Sequence, residues 1–389
     1  MRILFVSSPG LGHVNPLLPL ATALRERGNE VRWAVAGEFI PHLERHGFAA
    51  FSAGYEERER WQVVREQVGA PPGDGPPPGF GGPQGFATLF GKVSARRMAE
   101  SLDPIVARWT PELFVHDMSE LATAPTATAL GIPHVTHSWA WALPPETFLG
   151  AGEATAPLWR ERGLEPRPDG GVFQHLFLHP FPPGLVRGPR PSGPLQPIRP
   201  ARVEPLSAEE VPGWVGALGE GAIYLTLGTI FNQVEPMRAL VAALSSLGRE
   251  VVVTTGPRIP VEALGPLPGN CHAAQYVAQD AVLPHCALVV SHGGAGTFLG
   301  SAMAGVPQLC LPLGADQFLN AETAAAAGLG EWLAPDNRTP GAVLEAAGRL
   351  LEHGSYRARA KAVSQEIAAM PSAEEVAVVV EALVGVRAQ

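Results

Sequence analysis

The sequence has little cysteine, almost no lysine, no long apolar run and no cluster of basic residues. Its three cysteines lack the spacing of a metal site, so they are expected to be small buried side chains in a reducing compartment, and the predicted location is cytoplasmic. No apolar segment approaches the roughly 20 residues of a membrane-spanning helix, so no membrane partner is expected. A net charge of -9 without a basic cluster argues against nucleic acid as a partner.

The sequence contains enough apolar material for two domains. The chain has 389 residues, of which 46% are hydrophobic, and that is more than one compact core accommodates. β-Branched runs alternate with helical segments from Arg2 onwards and again from Ala222. In the first half, Asn15 is predicted to cap a helix with Pro16 at its first position, and the helix is predicted to end at Gly28. The alternation predicts an α/β fold with parallel sheets and helices on both faces.

Two irregular regions interrupt this alternation. Residues 55–91 contain a Pro/Gly-rich run without periodicity, and they are predicted to form a long surface loop that folds over a site. A disordered insertion without function is the alternative. Residues 139–199 are also rich in proline, and only one short helix is predicted there, near residues 154–163. Residues 189–212 are predicted to link the two halves.

A glycine-rich turn lies in the second half. Ala287 to Ser291 is a strand-like apolar run, and His292-Gly293-Gly294-Ala295-Gly296-Thr297 follows it, with a helix predicted from about Thr297. Glycines let backbone N–H groups approach an anion, and the N-terminus of a helix favours negative charge. The turn therefore predicts a phosphate site. A tight strand–helix turn that binds nothing is the alternative.

Polar clusters follow the predicted strands at three places in the chain. Ligands of open α/β sheets bind beyond the carboxyl ends of the strands. If the two halves face each other, the clusters are predicted to converge on one cleft. The clusters are Gly10 with Gly12 and His13, Asp117 alone, and Gly228-Thr229 with His292–Thr297.

The Ser291–Thr297 turn, together with Asp316-Gln317 and Asn320-Ala321, resembles the donor-binding signature of family 1 glycosyltransferases. Their GT-B fold has two Rossmann-like domains with parallel sheets facing across a cleft. Further similar segments occur in the family's order: GHVNPLLPLATALRERG, PELFVHD, ALGIPHV, IYLTLGT and YVAQDAVLPHCALVVSHGG. The resemblance covers nearly the whole chain and weakens over the two irregular regions. Within the family, the sequence is most similar to bacterial enzymes that attach sugars to enediyne, macrolide and aromatic polyketide antibiotics.

The resemblance implies three parts of the chain. Residues 1–205 form a Rossmann-like domain that binds the acceptor, and residues 206–370 form a second one that binds the nucleotide sugar. The last part, residues 371–389, forms a helix that packs back on the N-terminal domain.

The resemblance also implies the residues of a donor site. The diphosphate is expected at Gly293, Gly294, Ala295, Gly296, Thr297 and His292, with Gly228 and Thr229 from the other side of the cleft. The base and ribose are expected at Tyr276, Val277 and Gln279, and the sugar hydroxyls at Asp316 and Gln317. The family usually has Trp in place of Tyr276 and Pro in place of Ala278, so thymidine and uridine diphosphates both stay open. The residues alone also allow Tyr276 to cap the core and Asp316 to cap a helix.

The resemblance further implies that His13 is the general base and that Asp117 orients it. An imidazole titrates near neutral pH, and a positioned base contributes roughly 10²–10⁴-fold to the rate. The pair is like the His–Asp half of a serine-protease triad, with the substrate hydroxyl in place of serine. A large apolar acceptor is implied, and ordinary core packing is the alternative for about half of the aromatic residues. The expected acceptor residues are Gly12, Phe80, Phe86, Phe90, His137, Trp139, Trp141 and Phe148.

The resulting prediction is an inverting hexosyltransferase that moves a sugar from a dTDP- or UDP-sugar to a hydroxyl of an apolar natural product. No Asp-x-Asp pair occurs, so neither a metal nor another cofactor is expected. The alternatives are a nucleotide-sugar epimerase, a lipid or sterol glycosyltransferase, and a non-catalytic GT-B auxiliary or binding protein. A homodimer and a helper protein both stay open as further partners.

Overall fold

The computed structural model describes residues 1–139, 143–187, 193–201, 211–228 and 234–385. The chain forms two compact units, and each unit is discontinuous in sequence. Unit 1 consists of Met1–Pro180, Arg187–Val203 and Pro371–Gln389, and unit 2 consists of Phe181–Val186 and Glu204–Met370.

Unit 1 contains a parallel sheet of seven strands in the order β3-β2-β1-β4-β5-β6-β7. The strands are β1 (Arg2–Val6), β2 (Glu30–Val35), β3 (Ala49–Ser52), β4 (Leu113–Asp117), β5 (His134–His137), β6 (Leu176–His179) and β7 (Leu195–Pro197). The helices that precede unit 2 are α1 (Leu11–Val14), α2 (Leu18–Glu26), α3 (Ile40–Arg45), α4 (Glu57–Gln67), α5 (Gly82–Phe86), α6 (Ala95–Trp109), α7 (Thr123–Leu130) and α8 (Pro145–Glu161).

Unit 2 contains a parallel sheet of six strands in the order β10-β9-β8-β11-β12-β13. The strands are β8 (Ala222–Thr226), β9 (Val251–Thr254), β10 (Cys271–Ala274), β11 (Cys286–Ser291), β12 (Gln308–Cys310) and β13 (Gly330–Trp332). The helices of unit 2 are α9 (Val234–Ser245), α10 (Gln279–Val282), α11 (Ala295–Met303), α12 (Gln317–Ala326), α13 (Pro340–Glu352) and α14 (Gly354–Ala368), and α15 (Ala373–Gly385) then returns to unit 1.

Both sheets are covered by helices whose apolar residues recur at helical spacing. In unit 1, Met98, Leu102 and Val106 of α6 pack on one face of the sheet, because residues three and four apart share one side of a helix. Leu20 and Leu24 of α2 lie in the core on the other face. The central strands are buried on both faces and are therefore continuously apolar, as parallel strands usually are. The α/β fold with two Rossmann-like parallel sheets, predicted from the sequence, is confirmed.

Sheet growth reverses direction once in each unit. In unit 1 the chain builds outwards from β1 to β3 and then places β4 on the free side of β1; in unit 2 it places β11 beside β8 after β10. Such a reversal point leaves a crevice at the carboxyl ends of the two central strands, and ligands of doubly wound folds bind there.

The first helix does not begin where the sequence predicted. Gly10 has φ 137°, and the chain enters α1 directly at Leu11, since the N–H groups of His13 and Val14 donate to the Gly10 carbonyl at 3.0 and 3.1 Å. Asn15 is therefore no cap. It continues the helix in a 3-10 turn, and its side-chain oxygen lies 2.8 Å from Nε2 of His42. The reason is Gly10, whose positive φ supplies the sharp turn that starts the helix at Leu11.

The predicted loop over residues 55–91 is wrong in two places. Helix α4 occupies residues 57–67, and a helical segment starts again at α5 and continues through a π-helical stretch, Ala87–Ser94, into α6. Six of the eleven residues of helix α4 are charged, but Trp61 and Val64 are buried and pack on Leu89 and Val93. Two apolar residues three apart were too few to give a visible period, so tertiary packing rather than pattern fixes this helix.

The irregular region after residue 139 is also more regular than predicted. Helix α8 has 17 residues instead of the short helix expected near residues 154–163. Strands β6 and β7 extend the sheet, and β7 lies inside the segment predicted to be a linker. Both strands are only three or four residues long, which is too short for an alternating or continuous apolar pattern.

None of the described helices is long and apolar enough to cross a membrane.

Candidate active site

The carboxyl ends of β1 and β4 bring His13 and Asp117 together. Nδ1 of His13 lies 3.3 Å from Oδ1 of Asp117. Asp117 is the last residue of β4 and is 1% exposed, whereas about a fifth of the His13 side chain is exposed. The sequence predicted that these residues would approach each other although they are separated by 104 positions.

Asp117 is held by three further donors. The backbone N–H of Ser8 donates to Oδ2 at 2.6 Å, and the backbone N–H and hydroxyl of Ser119 both donate to Oδ1. Burial alone would raise the pKa of the Asp117 carboxyl. The charge of the neighbouring His13 and the hydrogen bonds from His13, Ser119 and Ser8 outweigh burial and hold that pKa well below its usual range. Asp117 is therefore a fixed negative charge at every pH of interest.

The contacts of His13 leave one ring nitrogen for chemistry. Nδ1 is within 3.3 Å of both Asp117 and the Ser119 hydroxyl, so the hydrogen on Nδ1 has two acceptors and the lone pair is left on Nε2. A Cβ at Gly10 would lie 3.1 Å from Cδ2 of His13, and Gly10 already has a positive φ. Gly10 is thus required both for the turn and for the close approach of the ring.

Aromatic rings surround the exposed side of His13. The ring centroid of Phe90 is 5.8 Å and that of Trp139 is 5.6 Å from the His13 ring, and Phe86 is 4.8 Å from Phe90. Two of the residues predicted to bind the acceptor, Phe90 and Trp139, therefore lie next to the histidine, and Phe86 packs on Phe90. Gly12 is exposed in α1, with open space beside it.

The remaining predicted acceptor residues lie elsewhere. Phe80 packs edge-on against Trp61, and Phe148 belongs to the core, where it packs against Phe173. His137 is the register partner of Asp117 on β5, but it is 4% exposed. Burial lowers the pKa of its ring to about 4. Trp141 lies outside the described residues.

His116, the neighbour of Asp117, points into the core with His134. Nδ1 of His116 lies 3.0 and 2.9 Å from the carbonyl oxygens of Asp117 and Glu120 and must donate, and Nε2 lies 3.1 Å from Nδ1 of His134. Burial lowers the pKa of both rings, that of His116 to about 4. The two neutral rings hold the end of β4 on the core side of the strand. Asp117 points to the opposite face, as the alternation of side chains along a strand predicts.

In unit 2 the glycine turn joins β11 to α11, as the sequence predicted. Gly294 precedes the helix without a side-chain cap. Gly293 has φ 80°, and a Cβ there would lie 3.2 Å from the Gln317 carbonyl. The first backbone N–H groups of α11 have no acceptor within the helix, so this end carries the partial positive charge that an anion needs.

His292 is packed between two glycines of this turn region. A Cβ at Gly228 would lie 2.6 Å from Nε2 of His292, and one at Gly294 would lie even closer. Gly228 follows β8, which is hydrogen-bonded to β11. The expectation that Gly228 lies across a cleft from His292 is therefore wrong, because both follow adjacent strands of one sheet. Thr229 lies outside the described residues.

His292 is a neutral ring in this environment. Burial lowers its pKa to about 4. Its Nδ1 is buried and has no hydrogen-bond partner among the described residues. His292 can therefore contribute a hydrogen bond to a ligand, but not a full positive charge at neutral pH.

Asn320 connects the turn to the start of α12. Its side-chain nitrogen donates to the Gly293 carbonyl at 2.9 Å and to Oδ2 of Asp316 at 2.7 Å. Asp316 occupies the N-cap position, but its side chain makes no capping hydrogen bond. Oε1 of Gln317 accepts from the backbone N–H groups of Leu313 and Gly314 at 2.7 and 3.0 Å. Gln317 can therefore only donate to a ligand.

Of the residues predicted for the base and ribose, Tyr276 and Val277 precede α10, and Gln279 is its first residue. The Gln279 side chain donates to the Thr297 hydroxyl at 3.0 Å, which links the predicted ribose residue to the predicted diphosphate turn. Val277 is buried, whereas the Tyr276 ring is 69% exposed and so presents a face to solvent. Tyr276 does not cap the core. Within the described parts of the chain, no three His, Cys, Asp or Glu side chains come together as a cation site requires.

Sequence reasoning missed several residues of these two constellations or their roles. Ser119 and Ser8, which hold Asp117, were not singled out. Gly10 and Asn320 were named in the polar cluster and in the signature, but their roles in shaping the turn before His13 and in joining the glycine turn to Asp316 were not predicted. The Asp117-Met118-Ser119 spacing is a signal that could have been used, because an Asp side chain often accepts from the backbone two residues later. The partnership of Ser8 with Asp117 depends on strand pairing and has no local signal.

Comparison with known proteins assigns the chain to a family. A family model described as "Erythromycin biosynthesis protein CIII-like, C-terminal domain" matches residues 238–383. The L-demethylnoviosyl transferase of Streptomyces niveus is 31% identical over 389 residues, which cover 97% of each chain. Elloramycin glycosyltransferase ElmGT of Streptomyces olivaceus is 29% identical over 97% of this chain and 96% of its own.

A solved structure shows the same fold over the whole chain. Spinosyn rhamnosyltransferase SpnG is 26% identical and covers 98% of this chain and 100% of its own. Its complexes with thymidine diphosphate and with spinosyn aglycone give TM-scores of 0.80 and 0.79. With identity above 30% to a transferase along almost its full length, the chain belongs to the GT-B glycosyltransferases of antibiotic and other natural-product biosynthesis.

Proposed function

We propose that this glycosyltransferase moves a sugar from a nucleoside diphosphate to a hydroxyl of a large apolar acceptor, with inversion at the anomeric carbon and without a metal ion. The observation that carries the proposal is the contact of the partly exposed His13 with the buried Asp117. A carboxylate held by three other donors serves to orient an imidazole and to stabilise its protonated form.

In the proposed step, Nε2 of His13 removes the proton of the acceptor hydroxyl. The oxygen attacks the anomeric carbon from the face opposite the nucleotide, the bond from that carbon to the diphosphate breaks, and the diphosphate leaves with the electron pair. The Asp117 charge compensates the imidazolium that forms. Because the attack comes from the opposite face, the configuration inverts.

The diphosphate is proposed to bind at the N-terminus of α11, at residues 293–297. The N–H groups of the first turn and the helix dipole stabilise the negative charge that develops on the leaving group. His292 adds a neutral hydrogen bond from its buried position. Since this set of donors is already in place, a metal ion is not required by the chemistry.

The remaining contacts with the nucleotide sugar are assigned to side chains near the glycine turn. The Gln317 amide nitrogen and the Asp316 carboxylate are proposed to bind sugar hydroxyls, one as donor and the other as acceptor. The exposed Tyr276 ring is proposed to stack on the base. Thymidine diphosphate is the first nucleotide to test, because SpnG and SsfS6 of Streptomyces sp. SF2575 are both known as complexes with it.

The acceptor is proposed to contact the rings of Phe86, Phe90 and Trp139 next to His13. An apolar face beside the base suits a hydrophobic aglycone and excludes water that would compete as an acceptor. The aglycone complex of SpnG supports an acceptor of this class.

The test separates catalysis from donor binding. His13→Ala is expected to lower transfer by roughly 10²–10⁴-fold, while thymidine diphosphate still raises the melting temperature of the variant as it does for the wild type. His353→Ala, which changes an exposed histidine of unit 2, is the control and should retain full activity. If His13→Ala transferred the sugar at nearly the wild-type rate, His13 would not be the general base. Inhibition of the wild type by EDTA would show that transfer requires a metal ion. A retained anomeric configuration in the product would refute the single displacement.

A further inference from the structure

Arg60 is a buried arginine whose hydrogen-bonding capacity is mostly unused. It lies on α4 and is 4% exposed. Its one hydrogen bond among the described residues joins Nη2 to the Pro9 carbonyl at a long 3.4 Å, and Nε and Nη1 have no partner. The guanidinium carbon lies 5.7 and 5.8 Å from the ring centroids of Trp61 and Phe90. An arginine offers five N–H donors in a planar fork, so most of this fork faces no acceptor.

Among the residues that the structure describes, no carboxylate forms an ion pair with this buried guanidinium. Burial lowers the pKa of Arg60 to about 10, although the charges of Glu57, Asp117 and Glu38 oppose the effect. The side chain therefore stays positive at neutral pH. A buried cation without a paired anion is strongly unfavourable, and its retention points to a ligand that completes it.

Arg60 is one of the residues that line a small pocket beside Ser8 and Ser119. The pocket has an empty volume of about 270 Å³, and its lining includes Arg60, Tyr55, Met98, Glu120, Ser8 and Ser119. Ser8 and Ser119 are the residues that hold Asp117. The space is small and includes open solvent, so it can hold at most one substituent of a larger molecule.

Glu120 does not serve as the missing partner of Arg60. Its carboxylate accepts from the backbone N–H groups of Ala122 and Thr123 and from the Thr123 hydroxyl. It therefore caps the start of α7, as a carboxylate at a helix N-terminus does. The pocket thus contains one fully engaged carboxylate and one guanidinium with unsatisfied donors.

We propose that Arg60 is a specificity-determining residue that binds a carboxylate substituent of the acceptor in this pocket. A carboxylate matches the planar fork with two parallel hydrogen bonds. The Arg60 guanidinium contacts the ring of Phe90, which also lies next to His13. This contact connects the pocket to the apolar surface beside the proposed general base. The inference rests on the proposed acceptor region and adds to it a charged group that the apolar residues alone do not predict.

Two probes that differ by one carboxylate test the proposal: 2-naphthol and 6-hydroxy-2-naphthoate. The wild-type chain is expected to bind the naphthoate about tenfold more tightly than the naphthol, because a charge-assisted bidentate pair is added. Arg60→Met should lose this preference and bind both probes like naphthol. Arg60→Lys should retain part of it. Affinities are measured by calorimetry on the full chain.

Arg58→Met is the matched control. Arg58 is on the same helix, but about three quarters of its side chain is exposed, and it pairs with Asp74 at 2.9 Å. This variant should keep the wild-type preference. Arg60→Met should also melt at or above the wild-type temperature, since an unpaired buried charge is replaced by an apolar chain. A purely structural arginine, or one satisfied by a water molecule, would instead weaken both probes equally or lower the melting temperature.

The proposal is overturned if the wild type does not prefer the naphthoate, if Arg60→Met keeps the preference, or if Arg58→Met loses it. Failure of the proposed function looks different. In that case thymidine diphosphate gives no stabilisation, or His13→Ala keeps its transfer activity, whatever the probes show.

Discussion

Unit 1 and unit 2 place their candidate site residues at the same topological position, on either side of the point where sheet growth reverses. In unit 1 this point lies between β1 and β4, and side chains fill it, namely His13, Asp117 and the serines that hold the carboxylate. In unit 2 it lies between β8 and β11, and glycines fill it, at positions 228, 293 and 294. Proton transfer requires a positioned side chain, whereas binding a diphosphate requires backbone N–H groups without Cβ atoms in front of them.

The comparison predicts that substitutions at the unit 1 position lower the rate of transfer, whereas substitutions in the glycine turn of unit 2 weaken nucleotide binding. The largest effect is expected for Asp117→Asn. The neutral amide cannot stabilise the positive charge of the protonated His13 ring. Its NH2 group would also face backbone N–H groups that donate to the carboxylate in the wild type. The kcat should therefore fall on the order of 10²-fold or more. Stabilisation by thymidine diphosphate should persist. Ser119→Ala keeps the carboxylate and is the control, with a loss below about tenfold. Steady-state kinetics measure kcat, and melting curves measure nucleotide binding. Equal losses of kcat in Asp117→Asn and Ser119→Ala would contradict the prediction.

The next effect concerns the glycine turn of unit 2. Gly294→Ala places a Cβ against the His292 ring, which is held between two glycines and has little room to move. Binding of thymidine diphosphate should weaken about tenfold, the equivalent of roughly 1.4 kcal/mol. Gly296→Ala, in the same turn but with open space around it, should bind the nucleotide normally. Calorimetric titration measures both, and equal affinities would refute the steric account.

Acid should affect unit 1 before unit 2. Burial lowers the pKa of His116, His134 and His137 in unit 1 and that of His292 in unit 2. The unfolded chain binds more protons than the folded chain between the folded value of about 4 and the unfolded value of about 6.5. Stability is therefore lost as the pH falls through this window. Burial raises the pKa of Glu120 to about 7. The contribution of Glu120 to stability therefore increases as the pH falls, and it offsets the loss from one histidine.

Hydrogen exchange followed by mass spectrometry at pH 7 and pH 5 tests this order, after correction for intrinsic exchange rates. Peptides of the unit 1 sheet should lose more protection than peptides of the unit 2 sheet. Equal losses, or an earlier loss in unit 2, would show that the buried histidines do not dominate.

The smallest effect concerns one strained residue in each unit. Thr110 follows α6 with φ 49°, and Ala315 precedes Asp316 with φ 54°. Glycine tolerates this region, so Thr110→Gly and Ala315→Gly should each stabilise the protein by roughly 0.5–1 kcal/mol. Denaturant titration measures the gain. Thr110→Gly should leave nucleotide-sugar binding unchanged, whereas Ala315→Gly should weaken it by loosening Asp316. A loss of nucleotide-sugar binding in Thr110→Gly would contradict this difference between the two positions.

The central parts of both units could be predicted from the sequence because their signals are local. A buried strand, a glycine turn and a helix follow each other without interruption from Ala287, and the β4 strand ends in Asp117. Parallel strands align their carboxyl ends, so His13 and Asp117 could be brought together without coordinates.

The regions that escaped prediction depend on contacts between distant segments. The buried residues of helix α4 are mainly Trp61 and Val64, and most of its other residues are charged, so its packing partners around Leu89 determine it. Strands β6 and β7 are too short for a pattern and exist because β5 offers an open edge. The exposure of Tyr276 and the burial of Arg60 are likewise properties of the assembled unit, and neither residue type reveals them.

The place of α15 has a consequence for biosynthesis. Val376 and Val380 are fully buried in the same core as Leu20 and Leu24 of α2, and Glu381 pairs with Arg27 at 2.7 Å. A ribosome therefore completes every residue of unit 2 before it supplies the last helix of unit 1. Until residues 373–385 emerge, the nascent unit 1 exposes the apolar face of α2 and requires protection from aggregation. Unit 1 expressed as residues 1–203 alone is expected to remain in that state, and supplying α15 as a separate peptide should rescue it.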